Sequence, residues 1–331
     1  MLSACGGPDA RAPFTESHAP PSLTPRFFAP EGWGWGLIQA GEAPAQRYGV
    51  AAPPVTPTAE VLILPGYGES AEGWFETAQD LVAAGYTVWI LDRAGQGGSG
   101  RYAGPRDLGH VISFDDDVAV TRALAVSYIP RDPRQPLIVI AHGVGALVAL
   151  QAAEAGMPLD GLILTGADFA PPSQPKTPSW TTKIGLTAFR APGAVAWSAR
   201  GPDAFGLKQT HDPRRGFVQL AWQQANPELR MGGPSVGWLG AATGASNGAQ
   251  AHLADSGAPT LMLSPGEDEL SRTAARTRVC HALPHCTEQL FQQGRPALHL
   301  ETDAIRAPWL TAIRTFVDER THALNPLIQQ R

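Results

Sequence analysis

The chain has 331 residues, 43% of them hydrophobic, with a formal net charge of −5 and a pI near 6.0. That length and apolar content suit one folded domain of about 280 residues with room for an inserted subdomain. Without a lysine- or arginine-rich block the composition argues against a nucleic-acid partner, and no run of 18 apolar residues offers a bilayer span.

Taken in chain order, residues 1–25 read as an N-terminal tether, rich in proline and expected to be unstructured from Gly6 to Pro25. From 26 to 165 the signals alternate. Trp33–Ile38 reads as a strand, and Val61–Leu64 is a short apolar run stopped by Pro65-Gly66. Thr77–Ala84 has a helical pattern; Thr87–Leu91 is a strand ending in the glycine-rich turn Asp92–Gly100. Asp115–Tyr128 has helical spacing, Leu137–Ile140 is a strand, Ala146–Ala155 a helix and Gly161–Thr165 a strand. Repeated strand and helix units predict an α/β architecture, a mostly parallel central sheet flanked by helices.

Between 166 and 258 the pattern breaks. Trp180, Trp197, Trp222 and Trp238 lie among scattered prolines and glycines, which reads as a helical cap over the C-terminal strand ends, where such sheets hold ligands. The core resumes over 259–331 with the strand Thr260–Leu263 and a closing helix, Trp309–Val317. Cys280 and Cys286 have five residues between them, and an oxidising compartment would join them as a local disulfide; the alternative is two reduced thiols. His281 and His285 share that loop, but the spacing matches no zinc pattern, so no metal is expected.

The turn Ala141-His142-Gly143-Val144-Gly145 carries the central question. A strand passes through a tight turn into a helix, as in the nucleophile elbow G-x-S-x-G, yet glycine holds the middle position. Together with Leu64–Glu69, Leu91–Ser99, Gly109-His110-Val111 with Phe114, Gly266-Glu267-Asp268, and the cap stretches Asn226–Arg230, Gly232–Pro234 and Gly237-Trp238, this turn resembles the α/β-hydrolases. The resemblance is to the bacterial lysophospholipase and monoacylglycerol lipase branch, and it spans Phe27 to Val317.

The resemblance implies a carboxylic-ester hydrolase of Ser-His-Asp type acting on a small acyl ester or monoacyl lipid, without a cofactor. It implies Gly143 at the nucleophile position, Asp268 as the orienting carboxylate with Glu267 and Glu269 as competitors, and His299 as general base. The backbone N–H groups of Tyr67 and Val144 match the oxyanion hole, and Pro65 stands where many relatives have histidine. Trp222 and Trp238 are candidates for contact with substrate. Neither Ser99 nor Cys280 is a convincing replacement nucleophile, and Gly95–Gly98 lacks the dinucleotide fingerprint.

Glycine forms no acyl-enzyme, so the expectation is an inactive or strongly impaired variant of a serine hydrolase. The alternatives are a non-catalytic relative that binds an acyl ligand, and a hydrolase or lyase working without a covalent step. Leu2-Ser3-Ala4-Cys5 also resembles the lipobox of bacterial lipoproteins, in which the cysteine is acylated. That implies an envelope address and membrane association through lipid on Cys5 in a native precursor. Only Met1 precedes it, so the chain as written is expected to be soluble and unlipidated.

Overall fold

The computed structural model describes residues 11–170, 186–199, 208–269, 271 and 273–325. Its centre is an eight-stranded sheet in the order β1-β2-β4-β3-β5-β6-β7-β8. The strands are β1 Gly34–Ile38, β2 Gln46–Ala51, β3 Ala59–Leu64, β4 Tyr86–Leu91, β5 Leu137–His142, β6 Gly161–Thr165, β7 Thr260–Pro265 and β8 Cys286–Phe291. β1 and β2 are antiparallel, as are β2 and β4; every other pairing is parallel.

The central strands are buried throughout and read as mostly apolar runs, with Glu60, His142 and Thr165 as polar exceptions, because helices cover both faces. On one face α2 (Asp115–Ser127) and α3 (Gly145–Glu154) bury Leu124, Leu147 and Leu150 against Leu62, Val139 and Leu164. On the other, α1 (Phe75–Ala83) and α8 (Asp303–Leu324) bury Leu81, Trp309 and Ile313 against Ile63, Ile90 and Ile140. The alternation of inward residues along each strand divides the core in two.

Two strands escaped the sequence reading. β2, with Arg47, Tyr48 and Gly49 in its middle, and β8, whose Glu288 and Gln289 are polar, lack an apolar run. β8 is an edge strand with a single neighbour, so little hydrophobic pattern is needed to hold it. Between β6 and β7 the described residues contain α4 (Pro213–Gly216), α5 (Val218–Ala225) and α6 (Val236–Ala251). Trp180 lies outside the described residues.

The tether expectation needs correcting for residues 11–25. Phe14 N donates to Gly98 O at 2.7 Å, Arg101 N to Arg11 O at 2.9 Å and His18 N to Asn226 Oδ1 at 2.7 Å. This proline-rich segment forms no helix or strand before Pro25–Phe27, but it lies against the glycine-rich turn and α5, where its backbone polar groups find partners. Such docking leaves no periodicity in the sequence. Cys5 lies outside the described residues.

Following β7, α7 (Thr273–Ala282) returns to β8. Cys280 and Cys286 are joined as a disulfide across that connection, with Cα atoms 5.3 Å apart. Their sulfurs are therefore not available as thiolate ligands. Among the described residues no helix is long and apolar enough to cross a membrane.

Candidate active site

The C-terminal ends of β3, β5 and β6 meet at one turn. β5 ends at His142, and Gly143 follows with φ +54° before α3 starts at Gly145. This left-handed conformation suits glycine and strains an ordinary residue. Among the described residues, and apart from its chain neighbours, a Cβ placed on Gly143 would find one atom within 4 Å, the Cα of Gly66 at 3.6 Å. Space for a side chain exists there, and the restriction is conformational.

Gly145 is glycine for a different reason. A Cβ there would lie 2.5 Å from Leu64 O and 2.9 Å from Pro65 O, so β3 and the start of α3 approach too closely for alanine. The same approach brings Gly66 and Tyr67 to the mouth of the elbow, across from Val144, the residue that caps α3. Gln96 holds this loop by donating from Nε2 to Gly66 O at 2.7 Å.

Beside the elbow lie two buried histidines, His142 and His299, and the partly buried Glu69. His142 Nδ1 is 2.8 Å from Glu69 Oε1, and His142 Nε2 is 3.2 Å from Pro296 O. Oxygen acceptors at both ring nitrogens are satisfied together only by the doubly protonated ring. Burial acts to lower the pKa of His142, but the charge and hydrogen bond of Glu69 outweigh it and raise the value. Burial likewise opposes ionisation of Glu69, yet His142, His299 and the Gly66 N–H hold its carboxyl down at about 2. Glu69 Oε2 also accepts from Gly66 N at 2.6 Å and Trp74 Nε1 at 3.1 Å.

His299 stacks on Trp74 with ring centroids 3.7 Å apart, and its Nε2 is 3.9 Å from Glu69 Oε1. Burial is the main cause of a pKa well below the ordinary imidazole value; Glu69 opposes it, while His142 and Arg306 reinforce it. Its Nδ1 is buried and meets no acceptor among the described residues. A neutral ring in this position has the protonation state of a general base.

Asp268 follows β7. Of the three neighbouring acids its carboxylate alone is turned inward, with a side chain 1% exposed, while Glu267 and Glu269 are 50% and 76% exposed. It pairs with Arg276 of α7 and accepts from Ser271 N at 2.9 Å. The carboxylate beside His299 in this arrangement is Glu69. Glu69 and His142 both occur in stretches that carry the resemblance, but they are far apart in the sequence, and only the fold shows that they meet.

The two tryptophans part company. Trp238, in α6, lies with its ring 4.4 Å from that of Tyr67, whose hydroxyl donates to Gly232 O at 2.9 Å. Ser235 caps this helix by accepting from Trp238 N and also contacts His110 Nδ1 at 2.8 Å, which fixes the cap over the elbow loop. Trp222 is buried against Phe28 and Phe75 in a cluster containing Phe27, Val218 and Leu229. Its ring contacts there are those of a packing residue at the junction of α5, α1 and the N-terminal segment.

One ligand atom each from Glu69, His142 and His299 lies within 4.8 Å of the other two, a grouping that could hold a metal ion. As arranged, His142 Nδ1 and Glu69 lie at ion-pair distance, so a metal would have to displace a proton and break that pair.

A mostly parallel sheet, an elbow on its fifth strand, an inward acid after its seventh and a histidine before the last helix define an α/β-hydrolase. The family profile described as serine aminopeptidase S33 (Hydrolase_4) matches residues 55–303, and the chain belongs to this family. It is 27% identical over 281 residues to lysophospholipase L2 of Escherichia coli strain K12, covering 77% of this chain and 79% of that protein. The fold is shared with a soluble variant of the monoglyceride lipase of Saccharomyces cerevisiae at a TM-score of 0.64 and 16% identity, over 90% of this chain and 99% of that one. It is also shared with a thermostable carboxyl esterase of Bacillus coagulans at a TM-score of 0.64 and 15% identity, over 88% and 100%. The chain is thus of the esterase, lipase and lysophospholipase type within the serine hydrolases.

Proposed function

We propose that this chain is a carboxylic-ester hydrolase for monoacyl lipids or similar small esters in which position 143 is the nucleophile site, and that glycine there leaves it inactive or strongly impaired. The observation that carries this reading is the elbow: Gly143 holds the left-handed conformation of a nucleophile turn, with open space where a hydroxymethyl group would project.

In this reading His299 is the general base and Asp268, the one inward acid after β7, is the orienting carboxylate, although here Asp268 is paired with Arg276 and His299 Nδ1 meets no acceptor among the described residues. Val144 N–H and Tyr67 N–H form the oxyanion hole, with Trp238 against the Tyr67 ring as the acyl-facing wall. Without a hydroxyl no acyl-enzyme forms. What remains is binding and, with a water in the elbow, residual catalysis of at most about 10³ to 10⁴ over water. The disulfide between Cys280 and Cys286 supports an envelope address, to which lipid on Cys5 would add membrane association.

The test is hydrolysis of p-nitrophenyl esters from acetyl to dodecanoyl by this chain and by Gly143→Ser. A gain of several orders of magnitude with a chain-length preference establishes a disabled serine hydrolase. A folded but inactive Gly143→Ser that still binds fatty acid would transfer the reading to a non-catalytic acyl-binding relative.

A further inference from the structure

The cap residues 208–215 form a clasp between the two loops that carry His299 and Asp268. On the histidine side, Ala297 N donates to Gln209 O at 2.9 Å and Thr210 Oγ1 donates to Leu300 O at 2.8 Å, one bond on each side of His299. Two residues beyond His299, the fully buried carboxylate of Glu301 gathers the loop. It accepts from Arg295 N at 2.9 Å, Thr302 N at 3.0 Å and His211 N at 3.1 Å.

His211 joins this loop to the other. Its Nδ1 is 2.8 Å from Glu301 Oε1, and its Nε2 is 3.1 Å from Glu267 Oε2, on the residue just before Asp268. A carboxylate oxygen thus lies within ion-pair distance of each ring nitrogen, with a hydrogen bond on the Glu301 side. No other single side chain in the clasp reaches both loops among the described residues. The elbow and its acid and base come from distant parts of the chain, and sub-ångström placement of a base decides its rate.

We infer that His211 is a positioning residue: by bridging Glu301 and Glu267 it fixes the histidine loop relative to the acid loop and so sets the placement of His299 in the site. This rests on the ester-hydrolase reading for its consequence in turnover, while the placement itself is a property of the present chain. It also makes the cap a participant in the reaction, since a cap segment displaced by substrate would carry both catalytic loops with it.

The experiment reads both levels. In the present chain, imidazole ¹⁵N–¹H correlation spectra, with the His299 signals assigned through His299→Gln, are compared with those of His211→Ala, His211→Gln and Glu267→Gln. The His299 ring signals are expected to shift or broaden in His211→Ala, to move less in Glu267→Gln, and to be partly restored by the remaining donor of His211→Gln. In a Gly143→Ser background, His211→Ala is expected to lower kcat on the order of tenfold to a hundredfold with KM within about twofold.

Unchanged His299 signals in a folded His211→Ala protein, or an unchanged kcat, would overturn the inference. Absence of turnover in Gly143→Ser itself would instead count against the ester-hydrolase reading. The His299 spectra would then decide the positioning role alone. If His211→Ala fails to fold, His211→Gln and Glu267→Gln supply the same comparison.

Discussion

Glu69 Oε1 and His142 Nδ1 lie 2.8 Å apart beside the elbow, an ion pair between a partly buried carboxylate and a buried imidazole, bound on its other sides by Gly66 N, Trp74 Nε1 and Pro296 O. Removing one partner leaves the other charged and unpaired in a buried site, which costs about 3–5 kcal/mol. Glu69→Gln is therefore expected to lower the stability at pH 7 by roughly that amount, as read by urea unfolding. An unchanged midpoint would mean that the pair carries no net stabilisation.

The same group sets the pH response. The folded-state pKa of Glu69 is depressed, so its stabilisation is present above the ordinary carboxylate range and disappears as pH falls toward about 2. The pKa of His299 is also depressed, so the unfolded chain gains a proton first and stability declines as pH drops below about 6.5. His142 acts oppositely: its raised pKa contributes stability below about 6.5, which is lost as pH rises through the folded value. Denaturation across pH 4 to 9 should show His299→Gln flattening the limb between about 6.5 and 5. A parallel curve would argue against a buried neutral His299.

Gly143→Ser is expected to fold, because the Cβ has space, and to melt lower by the equivalent of about 1–3 kcal/mol for a non-glycine residue in the left-handed region. Calorimetry of the two proteins checks this, and a variant as stable as the parent would argue against a strained elbow.

Gly145→Ala tests the close approach of β3 and α3. Its Cβ would lie 2.5 Å from Leu64 O, a backbone atom that moves only with the strand. The expected outcome is a loss larger than that of Gly143→Ser, measured by the same melting experiment.

The disulfide closes a short loop, with a sequence separation of six residues, so reduction should cost about 2 kcal/mol. Urea unfolding with and without a thiol reductant measures it, with the paired serine variant as control. A difference near zero would show that α7 and β8 hold without it.

Most local elements and their order were legible in the sequence, β2 and β8 excepted. Apolar runs fixed β3 through β7, because strands covered on both faces must be apolar throughout, and the glycine between β5 and α3 marked the elbow. The places of Asp268 after β7 and of His299 before the last helix were legible as positions, while what each side chain touches was not. Tertiary structure decided what those elements meet. The docking of residues 11–25, the burial of Trp222 against Phe75, the Glu69–His142 pair and the His211 bridge all join residues far apart in the chain. Such contacts depend on hydrogen-bond partners and charges brought together by folding. Periodicity records only which face of an element is buried, so it left these relationships invisible until the sheet was assembled.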